Sequence, residues 1–155
     1  MTKMDVSIKW KGGMAFEGSG PSGFTQRMDS GNGADGARPM EMIALGLIGC
    51  SAMDVISILE KKKQLVTDFQ VSFHGDRAEE HPKVFTRAAI EFRFHGTGLK
   101  EEAVRRAIEL SVGKYCPAFA MLVKAFPIRT LYGIYDGETK ALLREGEYIL
   151  QETGI

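Results

Sequence analysis

The sequence predicts an α+β fold in which antiparallel sheet packs with long helices. Three observations carry this reading. Residues 69–74 and 87–95 alternate apolar and polar side chains, the period of a sheet with one wet face. Met42 to Met53 holds no charged residue and is apolar on nearly every side of a helix, which places it in the middle of a fold or in an interface. After Gly96-Thr97-Gly98, the residues Ala103, Val104, Ala107, Ile108 and Ser111 recur at helical spacing, with charged residues between them.

The elements follow in order. Val6, Ile8 and Trp10 alternate with Ser7, Lys9 and Lys11 as a half-buried strand, and Gly12-Gly13 turns the chain into a second strand through Met14, Phe16 and Gly18. A third short strand runs from Phe24 to Met28, followed by a glycine-rich loop from Ser30 to Gly36. Arg38-Pro39 opens a long helix, because proline loses nothing at a first helical turn, where its N–H would have no partner. That helix emerges into water at Lys61-Lys62-Lys63, where lysines suit the helix dipole. Phe69, Val71 and Phe73 face one way on the next strand, and Ala88, Ile90, Phe92 and Phe94 on its partner, across a charged hairpin from Asp76 to Lys83. A helix with predicted i,i+4 pairs Glu101–Arg105 and Glu102–Arg106 ends at Gly113. Cys116-Pro117 opens a shorter helix through about Phe126, and Ile128 to Tyr135 is a last core strand. A short helix at Thr139 to Arg144 and a strand at Glu147 to Gln151 close the chain.

Composition narrows the function classes. The 155 residues match one domain, residues 1–155, long enough to bury a core without metal or disulfide staples. The 20 basic residues balance 20 acidic ones, so no basic face announces a nucleic-acid partner. The residues after Met1 carry no apolar run of a secretory signal, and the twelve uncharged residues from Met42 to Met53 are too few to span a bilayer. The expected location is the cytoplasm, with no membrane partner and with both cysteines reduced. His74, His81 and His95 lack the spacing of a metal site and are expected at the surface.

Chemistry is expected at Cys50 and Cys116. Cys50 sits mid-helix in Gly49-Cys50-Ser51-Ala52-Met53-Asp54, surroundings that raise a thiol pKa and by themselves argue for a small buried side chain rather than a reactive one. Gly46 and Gly49 each cost roughly 1 kcal/mol inside a helix, which points to another element or a substrate coming close. Asp54, one turn beyond Cys50, must find a partner or a proton. Cys116, before Pro117, is driven toward extended backbone and falls at or just before an N-cap, where free N–H groups favour a thiolate.

These segments resemble the OsmC/Ohr family of thiol-dependent peroxidases, in its YhfA-like branch. The resemblance rests on Pro39-Met40-Glu41-Met42, on Gly49-Cys50-Ser51-Ala52-Met53-Asp54-Val55, and on Lys114-Tyr115-Cys116-Pro117. It implies an intertwined homodimer with antiparallel sheets around two long central helices and active sites at the subunit interface. It implies that Cys50 attacks an organic hydroperoxide and becomes a sulfenic acid, that Cys116 condenses with it to a disulfide, and that an external dithiol or a lipoylated protein restores the pair, in defence against oxidative stress. No resident cofactor or metal is implied. Family members activate the nucleophile with an arginine of the first hairpin and a glutamate directly after the helix-opening proline. Here Met40 follows Pro39, the carboxylate stands one place later at Glu41, and the hairpin holds no arginine. Arg27 and Arg38 are the nearest substitutes, and with Glu41 and Asp54 they form the tuning candidates. These departures sustain a rival reading, a stress-associated binding or structural protein with little peroxidase activity.

Overall fold

The computed structural model describes residues 2–151, and the chain divides into two compact units, Met1–Ala44 and Leu45–Ile155. The first unit is a three-stranded antiparallel meander of β1 (Ser7–Trp10), β2 (Ala15–Ser19) and β3 (Thr25–Asp29). Gly12 and Gly13 make the first turn at φ 100° and 54°, conformations that side chains with a Cβ rarely adopt. The indole N–H of Trp10 closes this turn on the Gly13 carbonyl at 2.9 Å. The strands lie as expected, but β1 is not half-buried. Val6, Ile8 and Trp10 are all exposed. Alternation marks a face that something must cover, and a thin three-stranded sheet covers neither of its own faces.

Helix α1 (Pro39–Lys61) begins in the first unit and continues into the second. Proline occupies its first position, and the Glu41 carboxylate reaches back to the Arg38 backbone N–H at 2.9 Å, one half of a capping box. The helix ends where Lys63 turns left-handed at φ 54° and the Gln64 N–H bonds the Leu59 carbonyl. By length and apolarity alone α1 could cross a membrane, yet Leu47, Ser51, Val55 and Leu59 form one fully buried row of it. The other faces are open: Leu45 is 54% and Met53 74% exposed. The chain by itself therefore buries one stripe of a helix that the sequence marks as apolar all round.

The second unit holds a four-stranded sheet in the order β4 (Leu65–Arg77), β5 (Phe85–Thr97), β6 (Ile128–Asp136), β7 (Leu142–Tyr148). The β4–β5 hairpin is longer than the alternation alone defines. Its Phe69 ring stacks on Phe94 at 4.8 Å, above a core that includes Phe92, Phe94, Phe119, Ile90 and Ile134. The sheet is not antiparallel throughout, since β5 and β6 run parallel, Ala88 beside Ile128 through Gly96 beside Asp136. A parallel pair needs a long crossover, and the helical segment between them supplies it.

That crossover departs from the sequence expectation in three places. Helix α2 (Glu101–Leu110) does not stop at Gly113 but runs on as a single π-helical turn, Ser111–Tyr115, closed by the Cys116 N–H on the Ser111 carbonyl at 2.8 Å. Helix α3 (Pro117–Leu122) is shorter than predicted. The predicted ion pairs of α2 do not form. Arg105 instead donates to the Tyr132 hydroxyl at 2.9 Å, which in turn donates to Glu101 at 2.7 Å, while Arg106 pairs with Glu109. Tyr132 is a buried sheet residue, and satisfying its hydroxyl outweighs an exposed pair worth about 0.2–0.5 kcal/mol. Near the C-terminus no helix forms at 139–144. The Asp136 carboxylate takes the N–H groups of Glu138 and Thr139 in a tight turn, and β7 starts directly afterwards.

Candidate thiol site

Two elements build the site. The buried row of α1 carries Ser51, and Cys50 lies beside it on the rim, partly open to solvent. The π-helical turn widens the end of α2 and delivers Cys116 to the start of α3. Cys116 adopts extended backbone, φ −80° and ψ 102°, as the following proline requires, and its sulfur caps α3 by accepting the Phe119 N–H at 3.3 Å. The same sulfur accepts the Ser51 hydroxyl at 3.4 Å, and the residue is 2% exposed. Cys50 packs against the core cluster that contains Cys116, and its thiol is influenced by the Cys116 thiol and the Ala118 N–H. Both cysteines are free thiols.

Burial pushes the Cys50 thiol above its ordinary range; the hydrogen bond to Cys116 adds to this, and the Asp54 carboxylate contributes less, while the Ala118 N–H opposes it. No cation is among these influences within the described residues. Asp54 finds a partner in Ser111, whose hydroxyl donates to Oδ2 at 3.0 Å, so the turn that presents Cys116 is tied to the helix that carries Cys50.

Of the residues singled out in the sequence, Cys50, Cys116 and Asp54 come together in the second unit. Glu41, Arg27 and Arg38 belong to the first. Glu41 is engaged by the Arg38 N–H, and Arg27 donates through Nε to the Asp35 carbonyl at 2.5 Å, pinning the glycine-rich loop. The sequence reading missed Ser51, the role of Ser111 and the N–H donors of Ala118 and Phe119. A hydroxyl in an otherwise aliphatic row was the available signal for Ser51. Gly46 and Gly49 face open space among the described residues, since an added Cβ at either would meet nothing within 4 Å. Among the described residues no three His, Cys, Asp or Glu side chains gather as a metal site. A groove of about 1360 Å³ on the second unit is lined by Arg105, Arg106, Lys114 and Tyr148 among others, and neither cysteine borders it.

An α+β chain that brings a helix-borne thiol to a second thiol before a proline-led helix belongs to the OsmC-like protein family, whose match spans residues 31–130. It is similar to Protein YhfA of Escherichia coli (strain K12), with 41% identity over 131 residues, 84% of this chain and 98% of that one. A crystal structure of a hypothetical protein from Aquifex aeolicus superimposes with a TM-score of 0.80 at 28% identity, covering 89% of this chain and all of the other. The fold is shared with an organic hydroperoxide resistance protein from Elizabethkingia anophelis, TM-score 0.61 at 14% identity, over 88% of this chain and 97% of that one.

Proposed function

We propose that the protein is a thiol peroxidase that reduces organic hydroperoxides to alcohols in defence against oxidative stress. The observation that carries this reading is the approach of Cys50 and Cys116, remote in sequence: Cys50 packs against the core cluster that holds Cys116, and the adjacent Ser51 bonds the Cys116 sulfur. The Cys50 thiolate attacks the distal oxygen of ROOH, the O–O bond breaks, and the alkoxide leaves as ROH after taking a proton. Cys50 becomes a sulfenic acid. Cys116 then attacks the Cys50 sulfur and displaces hydroxide, which leaves as water, and a disulfide results. An external dithiol, a lipoylated protein or a small dithiol, returns both thiols. Organic hydroperoxide resistance proteins with this fold support the reading.

We further assign the functional unit to a homodimer in the cytoplasm, without a resident cofactor. Support comes from the open apolar faces of α1 and β1 and from two helix glycines where an added Cβ would meet nothing within 4 Å among the described residues. A second copy covering these faces would also be the source of a cation for Cys50.

The experiment is intact-mass measurement of the reduced protein after cumene hydroperoxide, without reductant. Loss of two hydrogens in the wild type, absent in Cys50→Ser and in Cys116→Ser, is expected. An unchanged mass would leave the second reading, a binding or structural protein, which the raised Cys50 thiol favours.

A further inference from the structure

The two sulfurs are neighbours with unequal surroundings. Cys116 Sγ receives two donors, the Ser51 hydroxyl at 3.4 Å and the Phe119 N–H at 3.3 Å, and is shut away from solvent. Cys50 Sγ makes no comparable hydrogen bond among the described residues and is partly open to solvent. Ser51 stands in the row Leu47, Ser51, Val55, Leu59, where every other member is aliphatic. A buried hydroxyl there costs free energy unless it is bonded, and the bond it makes is to sulfur.

We propose that Ser51 is a positioning residue which, with the Phe119 N–H, makes Cys116 the sulfur that holds negative charge in thiol–disulfide exchange, so that an external thiol opens a Cys50–Cys116 disulfide by attacking Cys50. The inference rests on the disulfide of the proposed cycle and adds the direction of its opening and the residue that sets it. A thiolate of the dithiol forms a new S–S bond to Cys50; the Cys50–Cys116 bond breaks, and its electron pair leaves on Cys116, where a hydroxyl and an N–H await it. The second thiol of the reductant, also as thiolate, attacks the reductant's own sulfur in the mixed disulfide and expels Cys50. The reductant ends as a disulfide, oxidised by two electrons, and the protein as two thiols once each has regained a proton. Exchange is faster when the leaving sulfur is stabilised as an anion, and access selects which sulfur is attacked. Both factors choose the same direction here. In the forward cycle the same donors hold Cys116 ready to attack the sulfenic acid.

The test begins with the full-length protein oxidised by diamide, a thiol oxidant that needs no peroxide. Glutathione is then added, the reaction is quenched with acid, free thiols are alkylated, and peptides are mapped by mass spectrometry. The expected adduct is on Cys50 with Cys116 free, in roughly tenfold or greater excess over the reverse. In the same preparation of Ser51→Ala, reduction by dithiothreitol should be about tenfold slower than in the wild type, the cost of one hydrogen bond to a charged sulfur. Ser51→Thr, which keeps a hydroxyl, should recover most of the rate. An adduct chiefly on Cys116, or Ser51→Ala reduced at the wild-type rate, overturns the inference. The mapping uses unaltered protein, so it decides the matter even if Ser51→Ala does not fold. If diamide links the cysteines and peroxide does not, the peroxidase reading falls and this inference is still decided. If diamide gives no disulfide, the inference is overturned with it.

Discussion

Ser111 donates its hydroxyl to the Asp54 carboxylate at 3.0 Å and thereby fastens the π-helical turn to the cysteine helix. Ser111 is fully buried, so its hydroxyl depends on that acceptor. The bond links the presentation of one thiol to the electrostatics of the other, because the Asp54 charge also disfavours a thiolate at Cys50. Asp54→Asn keeps an oxygen for Ser111 and removes the charge. Stability should change by about 1 kcal/mol or less, while Cys50 alkylation at neutral pH becomes faster. Asp54→Ala should cost about 1–3 kcal/mol in urea unfolding, since it leaves the Ser111 hydroxyl without its partner.

Burial, the Cys116 hydrogen bond and Asp54 all hold the Cys50 thiol protonated beyond its ordinary 9.0. Iodoacetamide labelling of Cys50 should therefore climb roughly tenfold per pH unit through the neutral range and keep rising past that value. The stability consequence has a definite sign. A raised thiol pKa stabilises the folded state below the unfolded-chain value and the benefit is lost as pH rises through the folded value. Wild type should lose stability at alkaline pH that Cys50→Ala retains, measured by denaturant midpoints across the alkaline range.

Lys63 ends α1 in the left-handed region at φ 54°, where a side chain is strained and glycine is not. Lys63→Gly should raise stability by about 1 kcal/mol, read from urea unfolding, because relief of strain exceeds the added freedom of the unfolded chain.

Met53 is 74% exposed on a helix whose opposite row is fully buried. Placing a charge there should leave the isolated chain folded and weaken association between copies. At one concentration the wild type should sediment as the proposed dimer and Met53→Lys as monomer, with circular dichroism unchanged.

Much of this architecture was legible because some residues act locally. Proline fixes its own φ and constrains the residue before it, so the start of α1 at Pro39 and the capping position of Cys116 follow from sequence. Strand direction does not follow. Ile128 to Asp136 carries the same apolar pattern whether its neighbour runs parallel or antiparallel, and only the crossover decides that β6 lies parallel to β5. Arg105 obeyed tertiary demand rather than helix spacing, because Tyr132 offers a buried hydroxyl from a strand far along the chain. Of the thiol site, the two cysteines and Asp54 were legible, and the donors around them were not. A serine in an apolar row states a need for a partner without naming it, and its partner lies 65 residues away. The family arginine and glutamate positions were legible as departures, and Glu41 and Arg27 each hold a local partner instead.

The parallel pairing of β5 with β6 has a consequence for how the chain matures. Everything between those strands, Cys116 included, must be made before β6 can dock, so that pairing closes late, after the hairpin and the first long helix have had time to form. A nascent chain carries its thiols as strangers. Cys116, carried on the crossover, gains a fixed place beside Ser51 only when the crossover packs.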